Sequence, residues 1–466
     1  MRMATELPGD ETIAAQIAYL NTGGEIVVGK LLQESLSLWQ QGAVCLPPFE
    51  RTFTRGEQAA RESYLDEFLR KVEAELRDAP SSKAERRCTQ ERMTSAFRSF
   101  AKACLGLEDG HLELLLDHGF SAVATQLARE ARHVDPEVSA EDIFQASRNA
   151  WTACALQTLL GQRMQLTPSI FAYSMLYPYT DNYLDDPGIS RGAKLAFSRR
   201  FRERLEGLGV EPFNEREATI WRFVELIEEQ YGRAEWPEVY DSLLEIHRAQ
   251  ENSVRLLRFD SSLANGDVLK LSFEKGGASV LADAYLAAGS LSPEEAQFAF
   301  DWGVLLQLVD DLQDLQQDLR EGKLTVFTEI AACARSGTAN GVALDALTTR
   351  TLNFGRGVMR QVDCMPSDDG GLTDAAVEHK CLKEMIRMSC SLLLIWSAGE
   401  CRKLYSEKYL ADLETHSPFR FAPLAERRGK LGRWGGPLTR MFESLLKEEE
   451  EGAASFLVAS YVVPRL

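Results

Sequence analysis

Apolar side chains recur every three or four positions along most of the chain, from about residue 55 onward. This spacing is typical of amphipathic α-helices, whose apolar stripe faces a core. No segment shows the sustained apolar and polar alternation, with β-branched enrichment, that indicates strands. The pattern therefore predicts an all-α protein.

Helix boundaries follow from the periodicity, the capping residues and the Gly and Pro positions. The main predicted helices span 58–77, 84–105, 111–132, 140–160, 168–185, 191–208, 215–231, 236–259, 268–288 and 293–320, with shorter ones from residues 325, 342 and about 351. Residues 1–50 are predicted to form a partly helical extension and 51–362 the main helical domain. The C-terminal helices of 363–466 are expected to pack on that same domain.

The helix predicted at 293–320 carries Asp310, Asp314 and Asp318 at every fourth position. On one straight helix these carboxylates stack on one face, about 6 Å apart, and repel one another unless water or a cation offsets the charge. The same stripe runs back through Gln307, Gly303, Phe300 and Ala296. A solvated acidic face should stay polar along its length, whereas this one resembles the wall of an apolar pocket with a charged mouth.

A second carboxylate cluster ends the helix predicted at 168–185. Asp181 and Asp185 lie four residues apart, Tyr177 lies one turn earlier, and Pro187 follows the last turn. Two helices that each carry an apolar wall ending in carboxylates could face each other. They could then hold Mg²⁺, which prefers oxygen ligands and usually recruits substrate phosphates.

Composition narrows the classes of partner. The net charge of −18 argues against nucleic acid, whose binding needs clustered Lys and Arg.

Nine scattered cysteines without a C-x-x-C pair are expected to be reduced thiols of a cytoplasmic protein, and six histidines show no zinc spacing. No signal peptide or membrane span is predicted, so membrane contact is expected to be peripheral at most. A monomer or a homodimer is compatible with the sequence.

Both carboxylate clusters resemble motifs of a known superfamily. The run from Gln307 through Asp310, Asp311, Asp314 and Asp318 to Gly322-Lys323 resembles the second aspartate-rich motif of the trans-isoprenyl diphosphate synthases. The sequence DNYLDD at 181–186 resembles the variant first motifs of class I terpene synthases and of squalene and phytoene synthases. The motifs lie in the expected order, about 125 residues apart, and the resemblance covers about residues 139–330. It implies the class I terpenoid synthase fold of antiparallel helices around a cavity, three Mg²⁺ ions and an allylic prenyl diphosphate substrate.

The chain also departs from these families at several motifs, and these departures limit which members of the superfamily it resembles. The chain lacks the Gly-Gly-Lys-Arg type motif that binds isopentenyl diphosphate, and only Arg191 stands where chain-elongating enzymes have paired arginines. It also lacks the Asn/Ser/Glu metal motif of ordinary terpene cyclases. The combination looks most like the bacterial large-terpene synthases, of which tetraprenyl-β-curcumene synthase is an example.

The resemblance assigns roles to individual residues. The implied metal ligands are Asp181, Asp185, Asp186, Asp310, Asp311, Asp314 and Asp318. Ionisation is expected to depend most on Asp181, Asp185, Asp310 and Asp314, because Asp186 and Asp311 point away from the two helical stripes. The expected diphosphate ligands are Arg191, Arg255, Lys275 and Lys323, and the other expected substrate contacts are Tyr177, Phe300 and Gln307.

Two further features each allow two interpretations. Gly276-Gly277, within a helical pattern, indicates either close helix packing or a helix break that exposes carbonyl groups to the cavity. Arg420, Arg427 and Arg428 form either a surface charge cluster or a lid that closes over a diphosphate.

The leading functional prediction is a Mg²⁺-dependent class I terpene synthase that releases diphosphate from a linear polyprenyl diphosphate. The alternative enzyme is a trans-prenyltransferase, acting by chain elongation or by head-to-head condensation. A non-catalytic helical scaffold with the same fold is the alternative from a different class, although it gives no reason to keep stacked like charges.

Overall fold

The computed structural model describes residues 27–77, 82–186, 188–253, 265–335, 342–365 and 374–431, together with positions 439 and 443. Helices make up most of these ranges, and no strand occurs in them. The all-α prediction is therefore confirmed. None of the described helices is both long and apolar enough to cross a bilayer.

The helices are numbered in chain order. The first nine are α1 (27–40), α2 (Arg55–Arg77), α3 (Lys83–Phe100), α4 (Asp109–Leu116), α5 (Phe120–Val134), α6 (Ala140–Leu159), α7 (Pro168–Asp185), α8 (Arg191–Leu205) and α9 (Glu215–Gln230). The others are α10 (Pro237–Ser253), α11 (Asn265–Ala288), α12 (Pro293–Gln313), α13 (Leu315–Glu321), α14 (Val326–Arg335), α15 (Val342–Cys364), α16 (Asp374–Glu400), α17 (Glu407–Glu414) and α18 (Phe421–Leu431). A π-helical turn (Ala101–Leu105) extends α3, and a 3₁₀ turn (Arg402–Leu404) follows α16.

The start of α12 and the end of α13 are those that the sequence predicts. Ser292 and Glu295 form a reciprocal capping box around Pro293, and Gly322 ends α13 with φ +72°. The prediction of one continuous helix over 293–320 is wrong, because α12 ends at Gln313 and Asp314 has φ −90° and ψ 2°. Repulsion between stacked carboxylates and the low helix propensity of Asp both favour a break there.

Helix α11 lies between two hydrophobic cores. One core contains Ala278, Ala282 and Leu286 of α11 together with the apolar faces of α5 to α10. The other contains Phe273 and Leu281 of α11, helices α1 to α4, and α12 with most of the C-terminal helices. Because α11 contributes to both cores, any polar side chain that it carries between these faces lies where the two halves of the molecule meet.

Close contact between α11 and α12 explains the paired glycines. A Cβ atom added at Gly303 would lie 2.1 Å from the carbonyl oxygen of Gly276, and one at Gly277 would lie 2.4 Å from the ring of Phe300. Helix α11 is unbroken through Gly276 and Gly277. The close-packing interpretation therefore fits, and the predicted alternative of a helix break at this point is wrong.

A second buried carboxyl joins three other helices. Asp301 of α12 is 1% exposed and accepts hydrogen bonds from Ser35 of α1, from Gln297 of its own helix and from Gln361 of α15. Burial raises the pKa of Asp301 above its ordinary value, and the three hydrogen bonds oppose that shift. Its described hydrogen-bond partners are one buried serine and two half-buried glutamines of the same protein, so its contacts are those of a structural residue.

The C-terminal helices pack against the rest of the chain. Helix α16 contacts α4, α6, α12 and α15. Arg420 and Arg427 pair with Glu62 and Asp66 of α2, and Arg428 pairs with Glu400 of α16. These contacts favour the surface charge cluster over the lid. The predicted division at residues 50 and 362 stays a prediction.

Candidate active site

Asp310 stands near the C-terminal end of α12 and faces α6. Its side chain is 50% exposed, and Oδ1 lies 3.8 Å from Nη2 of Arg148. This arrangement places a carboxylate and a guanidinium side by side at an accessible position. The guanidinium is the group that best matches phosphate oxygens in geometry and charge.

Asp311 points into the protein and is 5% exposed. Its Oδ1 accepts a hydrogen bond of 2.8 Å from Nε2 of Gln307, whereas its buried Oδ2 has no hydrogen-bond partner among the described residues. Burial raises the pKa of Asp311 to about 7; the Gln307 hydrogen bond and Lys275 of α11 lower it, whereas Asp310 and Asp318 raise it further. The predicted helical stripe has Asp311 pointing away from Asp310, Asp314 and Asp318. In the structure, Asp311 interacts with Gln307, Lys275 and the other carboxylates.

Asp318 of α13 completes this acidic group, although it follows the break at the exposed Asp314. It is 7% exposed, and its Oδ1 lies 3.9 Å from Nζ of Lys323, which also pairs with Glu321 at 2.9 Å. Burial raises the pKa of Asp318 to about 6; Lys323 opposes this shift, and the carboxylates of Asp314 and Asp310 reinforce it. The short helix α13 therefore keeps Asp318 within electrostatic reach of the end of α12.

The first carboxylate cluster occupies the C-terminal end of α7. Asp181 is half-buried, and its Oδ1 accepts a hydrogen bond of 2.9 Å from Nε2 of Gln250 on α10. Asp186 follows the last turn and is exposed, and its Oδ1 accepts a hydrogen bond from a backbone N–H two residues further on. The side chain of Asp185 and the whole of Arg255 lie outside the described residues, so their roles stay predictions.

The two clusters are carried by helices that α6 and α11 separate. Helix α7 packs on α6, α9 and α11, whereas α12 packs mainly on α11, α15 and α16. Among the residues that the structure describes, no three His, Cys, Asp or Glu side chains lie close enough together to hold a metal ion. The predicted site in which both clusters share three ions is therefore not assembled from the described side chains alone.

The carboxylates of α12 and α13 nevertheless fit an oxygen-preferring cation. Asp310 raises the pKa values of both Asp311 and Asp318, so the charges of these groups act on one another. One oxygen of Asp311 is also buried, with no hydrogen-bond partner in the part of the chain that the structure describes. A divalent cation such as Mg²⁺ is bound through one or two carboxylates with phosphates and water in the remaining positions, which matches this incomplete donor set.

The predicted diphosphate ligands occupy different positions. Lys275 of α11 is half-buried and acts electrostatically on Asp311, and Lys323 lies beside Asp318. Both lysines are therefore grouped with the carboxylates of α12 and α13. Arg191 is the exposed first residue of α8, just after the α7 cluster.

The predicted pocket residues also differ in their surroundings. Tyr177 is half-buried and its hydroxyl hydrogen bonds with Oγ of Ser279 on α11. Phe300 is fully buried with its ring against Gly277, so helix packing accounts for its position. A lining role for either residue stays a prediction.

Several polar residues of the site were not singled out from the sequence. They are Arg148 and Asn149 of α6, Gln250 of α10, and Ser279 and Asp283 of α11. Asp283 carried a usable signal, because it is a lone carboxylate within the otherwise apolar run ASVLADAYLAA. The others have ordinary helical spacing and become recognisable only through their contacts.

Mg²⁺ is expected to raise the melting temperature at pH 8 but not at pH 5. The pKa values of Asp311 and Asp318, about 7 and about 6, exceed the ordinary value of 3.8. Their contribution to stability is complete below the ordinary value and is lost as the pH rises through 6 to 7, where the folded protein holds uncompensated carboxylates. Mg²⁺ binds the carboxylate form and stabilises the folded state by mass action.

Thermal melts at pH 5, 6, 7 and 8, with MgCl₂ or with KCl of equal ionic strength, would measure this effect. The difference between the two salts isolates the metal, because other carboxyls with raised pKa values, such as the half-buried Asp241 and the buried Asp283, also titrate. An equal Mg²⁺ effect at pH 5 and pH 8 would contradict binding at these carboxylates.

This chain has little similarity to known proteins. No protein-family model and no curated protein matches the sequence. Among solved structures, that of a decaprenyl diphosphate synthase from Rhodobacter capsulatus is similar over 72% of this chain and 98% of that one, with 14% sequence identity and a TM-score of 0.26. A TM-score this low does not establish a shared fold, so the all-α class rests on the helices of this chain and the resemblance to isoprenoid synthases rests on its motifs.

Proposed function

We propose that this protein is a Mg²⁺-dependent class I terpene synthase that ionises a linear polyprenyl diphosphate and forms a cyclic terpene. The observation that carries the proposal is the group of interacting carboxylates of α12 and α13, with Lys275, Lys323 and Arg148 beside it. Neighbouring carboxylates with raised pKa values destabilise a folded protein at neutral pH. Binding of Mg²⁺ and a diphosphate would offset this repulsion, which gives a physical reason for the presence of these carboxylates.

One set of side chains would bind the metal, and another set would bind the leaving group. Asp310, Asp314 and Asp318 would hold Mg²⁺ on one side, and Asp181 with Asp185 would hold it on the other. Bound Mg²⁺ neutralises charge that develops on the departing diphosphate. Lys275, Lys323 and Arg148 would bind phosphate oxygens by charge-assisted hydrogen bonds and fix the position of the allylic carbon.

The test is an assay of the purified full chain with Mg²⁺ and farnesyl, geranylgeranyl or longer prenyl diphosphates, each with and without isopentenyl diphosphate. Released diphosphate and extractable products are measured in the same reaction. A terpene formed without isopentenyl diphosphate is the expected result. Longer prenyl diphosphates formed only with isopentenyl diphosphate would identify a chain-elongating prenyltransferase, and no release from any substrate would favour the scaffold.

A further inference from the structure

One face of α11 carries a polar side chain on each of three successive turns. Lys275, Ser279 and Asp283 lie four residues apart, so they share a face. The neighbouring faces of α11 are apolar and enter the two hydrophobic cores. The polar face therefore runs from the proposed diphosphate site into the interior, and Asp283 lies about 12 Å beyond Lys275 along the helix axis.

Helix α7 faces this polar row with two tyrosines. The hydroxyl of Tyr177 hydrogen bonds with Oγ of Ser279, and the hydroxyl of Tyr173 donates to the carbonyl oxygen of Ser279 at 3.3 Å. The two rings meet edge to face with centroids 5.7 Å apart. A site whose only task is to shield a hydrocarbon cation should be apolar. This interior instead presents several hydroxyl groups.

Asp283 is the innermost member of the row and is 1% exposed. Its Oδ1 accepts a hydrogen bond of 3.0 Å from Nδ2 of Asn149 on α6, which also donates to Oγ of Ser174 at 3.2 Å. Its Oδ2 is buried and has no hydrogen-bond partner among the described residues. A buried carboxyl oxygen without a partner is unfavourable unless a ligand or a water molecule pairs with it.

The surroundings of Oδ2 are not sealed in the same way as the cores. Asn149, Tyr177 and Ser279 are all half-buried, as are Lys275 and Asp310 nearer the charged end. Partly accessible polar side chains therefore occur both near the carboxylates of α12 and next to Asp283. Of the side-chain oxygens in this row, Oδ2 of Asp283 is the one that is buried without a hydrogen-bond partner among the described residues.

We propose that Asp283, with Asn149, Tyr177 and Ser279 around it, holds a water molecule in the interior beside α11, and that this water captures the carbocation. The inference rests on the proposed function and specifies its product class, which is a terpene alcohol rather than a hydrocarbon. The number of polar groups favours water over direct deprotonation of the cation by Asp283, because a buried water needs two to four polar partners whereas a base needs only a carboxylate.

Capture of the cation forms one C–O bond and moves one proton. A lone pair of the water oxygen forms the new C–O bond to the cationic carbon, and the resulting oxonium loses one proton to Oδ2 of Asp283. Burial raises the pKa of Asp283 well above its ordinary value, so the acid must first release its own proton to solvent water; the carboxylate that remains is then a strong proton acceptor. A carbocation held in the site would favour this release, since an opposite charge lowers the pKa of an acid.

The position of the new oxygen follows from the distance between Lys275 and Asp283. The water would lie several bonds along the chain from the carbon that carried the diphosphate. Ordinary hydrolysis of an allylic cation places oxygen on that carbon or on its allylic partner two bonds away. An oxygen on a remote carbon therefore distinguishes capture at Asp283 from hydrolysis at the mouth.

The experiment analyses the products of the full chain in water enriched in ¹⁸O, with Mg²⁺ and the prenyl diphosphate that gives the highest diphosphate release. The wild-type product is expected to be an alcohol with ¹⁸O on a remote carbon. Asp283→Asn, which cannot accept the proton, is expected to lower the alcohol share at least about tenfold in favour of olefin, with diphosphate release within about threefold. Ser279→Ala, a smaller change that tests the same water if Asp283→Asn fails to fold, is expected to lower that share about threefold.

Asp301→Asn is the matched control, because Asp301 is also a buried carboxyl at 1% exposure but makes only structural contacts. It is expected to lower the melting temperature without changing the product ratio. Wild-type release of diphosphate with only hydrocarbon, with unlabelled alcohol, or with label only at the two allylic carbons would overturn the inference and leave the proposed function standing. An unchanged alcohol share in both Asp283→Asn and Ser279→Ala would also overturn it. No diphosphate release from wild type would overturn the proposed function, and the inference with it.

Discussion

Asp310→Asn is expected to lower the rate of Mg²⁺-dependent diphosphate release by about 10²- to 10³-fold. The substitution keeps the shape of the side chain but removes the charge that would bind the metal and that raises the pKa values of Asp311 and Asp318. Because Asp310 is half exposed, its loss should leave the helix content and the melting temperature in the absence of Mg²⁺ nearly unchanged.

The measurement compares diphosphate release, far-ultraviolet circular dichroism and the Mg²⁺ effect on melting for wild type and variant. Glu294→Gln is the matched control, since Glu294 is an exposed acid in the first turn of the same helix. Equal activity of wild type and Asp310→Asn would remove the metal site from the proposal. Equal losses in both variants would point to a general charge effect.

Gly303→Ala is expected to be the most destabilising single methyl addition in α12, by about 3 kcal/mol or more. The added Cβ would lie 2.1 Å from the carbonyl oxygen of Gly276 and 3.0 Å from Cβ of Val280. The nearest atom belongs to the backbone of α11, so no side-chain rotation relieves the overlap. The two helices must move apart. Their separation would also loosen the packing that holds Lys275 of α11 within electrostatic reach of Asp311 of α12.

Chemical denaturation of the variant would measure this loss. Gly192→Ala is the control, because Gly192 is also helical and has no atom within 4 Å of an added Cβ. It is expected to change the free energy of unfolding by no more than about 0.5 kcal/mol. If both variants have the same stability, close packing of α11 on α12 is not what requires Gly303.

Local signals in the sequence determined which segments form the helices of the site. The capping box of Ser292 and Glu295, the N-cap Thr167 with Pro168 in α7, and Gly322 after α13 act through neighbours within a few residues. Such interactions can be read from sequence because both partners lie in the same short stretch. The spacing of the aspartates was readable for the same reason.

The rotation of each helix and its partners were decided by the tertiary structure. The aspartate spacing alone placed Asp311 off the helical stripe, whereas the packing of α12 on α11 brings it within electrostatic reach of Lys275. The glycine pair allowed either a break or a close contact, and only the position of α12 distinguished them.

The polar row on α11 illustrates the same limit. The sequence by itself determined that Asp283 is a carboxylate in an apolar helical run, and that the chain forms helices with acidic ends. Only the tertiary structure brought Asn149 of α6, 134 residues away in sequence, to one oxygen of Asp283 and left the other without a partner among the described side chains. The physical reason is that helix formation depends on short-range hydrogen bonds and periodicity, whereas the environment of a buried charge depends on which distant side chains the packing places around it.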